Sequence, residues 1–104
     1  MSFRRFEILL PTRYNDGTAV EEEQFAQTRR DLIAEFGAIT WYPERLQGLW
    51  SHEGKLFEDL NIKVIIDVED SPAVQCFFQE FKATLKKRFR QLDIWVVAYE
   101  VRIY

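Results

Sequence analysis

The stretch LFEDLNIKVIIDV, residues 56–68, decides the fold because it is the clearest β-strand pattern in the chain. One of its two alternating phases is apolar from the middle onward: Leu60, Ile62, Val64, Ile66 and Val68. The other phase contains Lys63 and Asp67, so only one side of this strand suits a core. Ser71 and Pro72 follow and suit a helix N-cap and a first helical position. The pattern predicts a long amphipathic strand that leads directly into a helix.

The helix predicted after Pro72 has one apolar stripe at helical spacing. Its members are Val74, Phe77, Phe78, Phe81, Leu85 and Phe89. Basic residues of the run KKRFR, residues 86–90, occupy the last turns, where the negative end of the helix dipole favours them. Residues 94–104 then alternate again, which predicts a final strand.

The N-terminal half repeats the same elements. Phe6, Ile8 and Leu10 alternate before Pro11 and predict a first strand. After the turn-rich segment RYNDG, residues 13–17, Thr18 and Glu21 have the spacing of a capping box, with Thr18 as N-cap of a first helix. The apolar stripe of this helix is Phe25, Leu32, Ile33 and Phe36.

The segment between the first helix and residue 56 is predicted to form the second strand. Gly37 ends the helix, and the β-branched and aromatic residues 38–42 follow. Pro43 interrupts this strand and residues 48–51 resume it, up to a turn in the sequence SHEGK, residues 51–55. If both flanking strands are long, they form a hairpin that extends past the sheet.

The predicted order is βαββαβ in a single domain that spans residues 1–104. Two helices with one apolar stripe each, and strands with one apolar face, form a two-layer α+β sandwich. The arrangement that satisfies the crossover rule is ferredoxin-like: two helices cover one face of a four-stranded antiparallel sheet, and the second and third strands form an extended hairpin.

Composition excludes several classes of function. The net charge of −3 argues against nucleic acid as a partner, because phosphate neutralisation requires an excess of Lys and Arg. The single cysteine, Cys76, excludes an internal disulfide and a thiolate metal cluster, and one histidine cannot form a His-rich metal site. The chain lacks the pattern of a signal peptide or a membrane span, so we expect a cytoplasmic protein with no membrane partner, metal or cofactor.

Two residues are candidates for acid–base chemistry. His52, the only histidine, is followed by Glu53 and Gly54, a sequence typical of a solvated hairpin tip. Glu58 shares the phase of Leu60, so it is expected to face inward near one end of the sheet. A half-buried carboxylate there would be either a general acid or base or one half of a structural ion pair.

Three residues are candidates for ligand binding. Tyr14 and Asp16 belong to the loop at the carboxyl end of the first strand, which has no phosphate-binding motif. Trp50 lies just before the hairpin tip, where a large aromatic side chain has no helix of its own domain to cover it. The alternatives are an ordinary turn for the first two residues and a subunit contact for Trp50.

The segments LLPTRYNDG, FGAIT, GLWSHEGKLFEDLNIKVIIDV and FFQEFKATLKKRFRQLDIWV resemble a small bacterial family of about 100 residues whose function is uncharacterised. The resemblance implies the ferredoxin-like fold and supplies no catalytic signature. The topology with a protruding hairpin also looks like the signalling and metal-tolerance trimers of the PII and CutA kind, and like the dimeric α/β-barrel proteins. These likenesses of fold do not determine a function.

The leading hypothesis is a non-catalytic, homo-oligomeric binding or regulatory module. The sheet face away from the helices would leave apolar side chains of the first and last strands in water, which soluble monomers avoid. We expect a second copy, most simply in a dimer, to cover that open face or the 48–57 hairpin. The alternative is a small cofactor-independent enzyme of the dimeric α/β-barrel type, with a pocket between sheet and helices and Glu58 or His52 as base.

Overall fold

A computed structural model describes residues 2–104 and confirms the βαββαβ order. The elements are β1 (Phe3–Pro11), α1 (Glu22–Phe36), β2 (Thr40–His52), β3 (Lys55–Glu69), α2 (Pro72–Arg88) and β4 (Trp95–Val101). The four strands form one antiparallel sheet in the order β2-β3-β1-β4. The central strand β1 therefore lies between β3 and β4, and β2 and β4 are the two edges.

The core lies between the helices and one face of the sheet. The apolar phase of residues 60–68 faces it, as expected, and Ile8 of β1 and Val64 of β3 are cross-strand neighbours with no exposed surface. The helices contribute Leu32 and Leu85, which are also fully buried. Aromatic rings fill much of the remaining space, and Phe6 stacks on Phe78 with 3.8 Å between ring centroids. The space between sheet and helices is therefore occupied mainly by packed side chains.

Local sequence signals set two of the helix ends as expected. The hydroxyl of Ser71 accepts a 3.1 Å hydrogen bond from the backbone N–H of Val74, and Pro72 opens α2. Gly37 follows α1 with φ of 81°, a conformation that glycine adopts without strain, and its N–H donates to the carbonyl of Ile33.

The predicted capping box at the start of α1 is wrong. The helix begins at Glu22, and Glu21 is the N-cap without a side-chain capping bond. Thr18 instead donates both its N–H and its hydroxyl to Asp16, at 2.9 and 2.6 Å, and the Glu21 carboxylate accepts a hydrogen bond from the Tyr14 hydroxyl. The side-chain turn at Asp16 competes for Thr18, so the helix starts one turn later.

The extended hairpin of β2 and β3 is confirmed, but Pro43 does not interrupt β2. The strand runs through the proline by shifting register between Tyr42 and Leu46, and an edge strand tolerates the missing N–H. Glu53 and Gly54 turn the chain with φ of 51° and 77°. Every residue from 42 to 59 except Gly48 is exposed, and the hairpin contributes to an elongated shape of 46 × 29 × 24 Å.

None of the helices in residues 2–104 is long and apolar enough to cross a membrane.

Candidate functional site

A cleft of about 520 Å³ lies at the carboxyl end of β1. Its lining residues come from three segments: the end of β1 and the loop after it, the protruding part of β3, and the start of β4 with the loop before it. They are Leu9, Pro11–Asn15, Gly17, Glu58–Asn61, Gln91 and Asp93–Trp95. The volume is in the range of small-molecule sites.

The cleft exists because the central strand ends before its neighbour. Pro11 is the last residue of β1 and pairs with Asn61 of β3. From Asn61, β3 extends further toward the hairpin tip. Thr12 makes the final contact, since its N–H and its hydroxyl both donate to the Leu60 carbonyl, at 3.1 and 2.8 Å. On the other side Trp95 pairs with Leu9 at the start of β4. The gap in the middle of the sheet is thus bordered by β3, β4 and the loop that follows β1.

Acidic side chains outnumber basic ones in the lining. Glu58, Asp59 and Asp93 are carboxylates, and Arg13 is the single lining residue with a positive charge. Arg13 donates to the Gly17 carbonyl at 2.9 Å, which holds its guanidinium against the loop. The lining residues therefore have a formal net charge of −2.

Asp93 is held ionised by its neighbours. The ammonium of Lys82 lies 3.0 Å from its carboxylate, and this hydrogen bond, together with the backbone N–H of Ile94, lowers the pKa of Asp93. Asp59 accepts a 2.9 Å hydrogen bond from the indole N–H of Trp50. Both acids are thus positioned by a partner that approaches from outside the cleft lining.

Glu58 lines this cleft, but its expected burial is wrong. The alternation places it correctly in the phase of Leu60 and Ile62, on the helix side of the sheet. At position 58, however, β3 has already passed the end of β1, and the side chain is exposed. The arginines of β1 do not pair with it, because Arg4 binds Asp70 and Arg5 binds Asp67.

The loop candidates Tyr14 and Asp16 occupy different environments. Tyr14 is buried and lines the cleft, and its hydroxyl donates to Glu21, which raises the pKa of Tyr14 and lowers that of Glu21. The guanidinium of Arg90 covers the Tyr14 ring at 4.4 Å from its centroid. Asp16 is not part of the lining; its hydrogen bonds from Thr18 hold the turn and lower the pKa of Asp16.

The hairpin candidates His52 and Trp50 lie outside the cleft. The His52 side chain is 67% exposed, and its Nε2 is 3.7 Å from the Glu53 carboxylate, beyond hydrogen-bond distance. Trp50 stacks on its cross-strand neighbour Phe57, with ring centroids 4.4 Å apart and an interplanar angle of 15°. The structure therefore brings Glu58 and Tyr14 to one cleft and leaves His52, Trp50 and Asp16 elsewhere.

Sequence reasoning missed Asp93, Trp95 and Asn61 as lining residues of the cleft. Asp93 and Trp95 lie at the start of the last strand and Asn61 lies within the third, and only the pairing of β1 with both β3 and β4 brings them together. One usable signal was present: Glu58 interrupts the apolar phase of the third strand, which becomes continuous only from Leu60 onward, so the residues before Leu60 lack a core-facing pattern.

Within residues 2–104, no three side chains of His, Cys, Asp and Glu converge as ligands for a metal ion. The three cleft carboxylates thus do not form such a group.

The sheet face opposite the helices has a paired set of charged groups. The guanidinium of Arg5 makes two hydrogen bonds to Asp67, at 2.8 and 3.0 Å. The Glu7 carboxylate accepts from the Lys63 ammonium and from the Tyr99 hydroxyl. Both bonds lower the pKa of Glu7, and the bond from Lys63 has the larger effect. The same contacts raise the pKa of Lys63 and of Tyr99.

No family model and no curated protein matches the sequence. Solved structures do match. CutA1 from Oryza sativa aligns over 100% of this chain and 84% of its own, with a TM-score of 0.67 and 12% identity. The divalent cation tolerance protein Cut A1 from Thermus thermophilus aligns over 98% and 86%, with a TM-score of 0.66 and 14% identity.

A third match is a phage SAM lyase in complex with S-methyl-5'-thioadenosine, which covers 98% of this chain and 90% of its own with a TM-score of 0.68 and 13% identity. Identities this low establish a shared architecture and leave activity open. The chain has the βαββαβ ferredoxin-like fold of the CutA1 proteins.

Proposed function

We propose that this protein is a non-catalytic, homo-oligomeric binding module, and that copies associate through the open face of the sheet. The observation that supports it best is the exposed apolar surface on that face. Trp95 is 60% exposed there, and Val97 and Tyr99 of the same strand are exposed beside it. Leu9 of β1, the cross-strand partner of Trp95, is half-buried beside them and extends the apolar surface onto β1.

The charged groups on the open face are compatible with burial against a second copy. Arg5 pairs with Asp67, and Glu7 pairs with Lys63, so the centre of the face presents compensated charges. Burying an unpaired charge costs several kcal/mol, whereas a pair that already satisfies itself costs less. A self-complementary contact between two such faces requires no partner of opposite charge, which favours a two-fold dimer.

The hairpin supplies a second apolar surface. Leu56 is 72% exposed near its tip, and Leu49 and Trp50 are exposed on the opposing strand. Their exposure shows that this chain does not cover them. A neighbouring copy that contacts the hairpin would extend the same assembly.

The test is the mass in solution as concentration rises, with one disrupting variant and one matched control. Val97→Lys places a charge in the middle of the open face, opposite Glu7 in the neighbouring strand, where the fold tolerates it. Leu92→Lys makes the same change at a loop residue that is 92% exposed. We expect the wild type and Leu92→Lys to share an oligomeric mass and Val97→Lys to be a monomer.

A wild-type mass that stays at 12.5 kDa at all concentrations would refute the assembly. An oligomer that Val97→Lys leaves intact would refute the open face as its interface. A mass of two chains supports the two-fold contact between open faces. A mass of three or more chains would instead indicate a ring with head-to-tail contacts, in which the hairpin is one of the contacting surfaces.

The second candidate function is a small enzyme that needs no cofactor. The cleft favours it, because Glu58 lies in its wall with an exposed carboxylate and a phage SAM lyase has a similar fold. In this case the reaction would occur at the end of the sheet and not between sheet and helices. His52 would have no part in it, since it lies outside the cleft lining.

Incubation with SAM, followed by chromatography for S-methyl-5'-thioadenosine, tests this candidate. Product formation that Glu58→Gln abolishes and Glu100→Gln retains would establish the enzyme and displace the non-catalytic module. Absence of product from the wild type would leave the binding module as the better account.

A further inference from the structure

We infer that the cleft at the end of β1 binds a small organic cation with a flat apolar part. This inference rests on the proposed binding role and names the chemical class of its ligand. Three observations support it: the charge balance of the lining, the exposed indole at its border and the lack of a converging set of metal ligands in residues 2–104.

The charges of the cleft lining favour a positively charged ligand. Glu58, Asp59 and Asp93 provide three negative charges against the one positive charge of Arg13, a net of two. Lys82 pairs with Asp93 from outside the lining, so the negative charge available to a ligand comes mainly from Glu58 and Asp59. An anion such as a phosphate ester would meet repulsion here, whereas a cation gains from the field of the whole cleft.

The geometry of the carboxylates selects an organic cation over a metal ion. Hard divalent cations need several oxygen ligands at short distance, and no three ligand side chains converge in residues 2–104. Carboxylates that do not converge on one point suit an ammonium or amidinium group, which donates hydrogen bonds to one or two of them at a time.

The apolar part of the lining selects a flat ligand. Leu9 and Leu60 border the cleft, and the indole of Trp95 forms an exposed wall between it and the open sheet face. An indole face attracts both apolar rings and cations, so it suits a ligand that has both. Assembly through the open face would place a second copy against the side of the cleft that Trp95 borders, and the ligand would then sit at a subunit boundary.

Three indoles that differ in the charge of their side chain form the probe set. Tryptamine has an ammonium group, tryptophol a neutral hydroxyl and indole-3-acetate a carboxylate. Calorimetric titration into the intact chain at low salt measures each affinity directly. We expect tryptamine to bind about tenfold or more tightly than indole-3-acetate, with tryptophol in between.

Variants locate the bound probe. Glu58→Gln and Asp93→Asn should each weaken tryptamine binding by about three- to fivefold and leave tryptophol unchanged. Trp95→Ala should weaken tryptamine and tryptophol alike, because it removes the wall for the ring. Glu100→Gln, an exposed acid on β4 outside the cleft, is the matched control and should change none of the affinities.

Equal affinity for tryptamine and indole-3-acetate, or no binding of tryptamine, would overturn the inference. Tryptamine binding that survives both Glu58→Gln and Asp93→Asn would also overturn it, since the cation would then bind elsewhere. The mass of the same samples separates this result from the assembly. A monomer that selects tryptamine supports the cleft and refutes the oligomer, and an oligomer that binds no probe does the reverse.

Discussion

Replacing Glu7 with Gln should destabilise the protein at neutral pH and have little effect in acid. In the folded protein the Glu7 carboxylate accepts two hydrogen bonds, one from the Lys63 ammonium and one from the Tyr99 hydroxyl. Its side chain is only 13% exposed. The carboxamide of Gln has no negative charge, and its NH2 group replaces one of the two accepting oxygens, so the charged acceptor is lost and Lys63 loses its counter-charge.

The expected loss of unfolding free energy follows from the loss of the charged hydrogen bond. A hydrogen bond to a charged group contributes about 1.5–3 kcal/mol, so Glu7→Gln should cost about 2 kcal/mol of unfolding free energy at pH 7. For a domain of this size the cost corresponds to a fall in Tm of about 8 °C. The matched control is Glu100→Gln, which changes an exposed acid on the strand next to Glu7 and should cost less than about 0.5 kcal/mol.

The pH dependence has a definite sign. The pKa of Glu7 lies below its ordinary value of 4.5 in the folded protein, mainly because of Lys63. A lowered pKa contributes stability that is complete above the unfolded value and disappears as the pH falls through the folded value. The difference between wild type and Glu7→Gln should therefore be full at pH 7 and shrink steadily below about pH 4.5.

Urea unfolding followed by circular dichroism measures both quantities. The protein concentration must be held constant, because assembly would add to the apparent stability. A free-energy difference that is the same at neutral and acid pH would refute the ionic origin of the effect. So would a Glu7→Gln variant that is as stable as Glu100→Gln at pH 7.

Three further predictions concern stability. His52→Ala should change the unfolding free energy by less than about 0.5 kcal/mol, because the histidine is exposed at the hairpin tip; a loss of several kcal/mol in urea unfolding would show a structural role. Leu85→Ala should cost about 3 kcal/mol through the cavity it leaves in the core, and a calorimetric Tm close to that of the wild type would show that the core collapses around it. Arg88→Met should cost about 2 kcal/mol, since the Arg88 guanidinium is only 14% exposed and its 2.7 Å bond to Asp31 joins the two helices. Lys87→Met, an exposed neighbour, is its control, and equal stability of the two variants would refute the contribution of the helix-to-helix bond.

The fold was predictable because its main signals are local. The alternation of residues 60–68 sets both a strand and its buried side, and the stripe from Val74 to Phe89 sets a helix against it. The N-cap at Ser71 and the C-cap at Gly37 also need only neighbouring residues. Errors arose where two local motifs compete, as at Thr18, which bonds to Asp16 and does not cap the helix.

The cleft was less predictable because its walls come from distant parts of the chain. Glu58 was placed on the correct side of its strand by alternation, but alternation contains no information on where the neighbouring strand ends. Pro43 was read as a break because strand pairing, which absorbs it in a register shift, is a tertiary property. Asp93 and Trp95 belong to the site only through the pairing of β4 with β1.

The central position of β1 also has a consequence for folding kinetics. Its two lateral partners are supplied by remote segments: Arg5 bonds to Asp67 over a separation of 62 residues, and Tyr99 bonds to Glu7 over 92. The hairpin is local by comparison, since Trp50 and Asp59 are 9 residues apart. Hairpins form in about 1–10 μs, whereas non-local pairing is slow because loop closure must precede it. We therefore expect the hairpin to form early and the insertion of β1 between β3 and β4 to limit the folding rate.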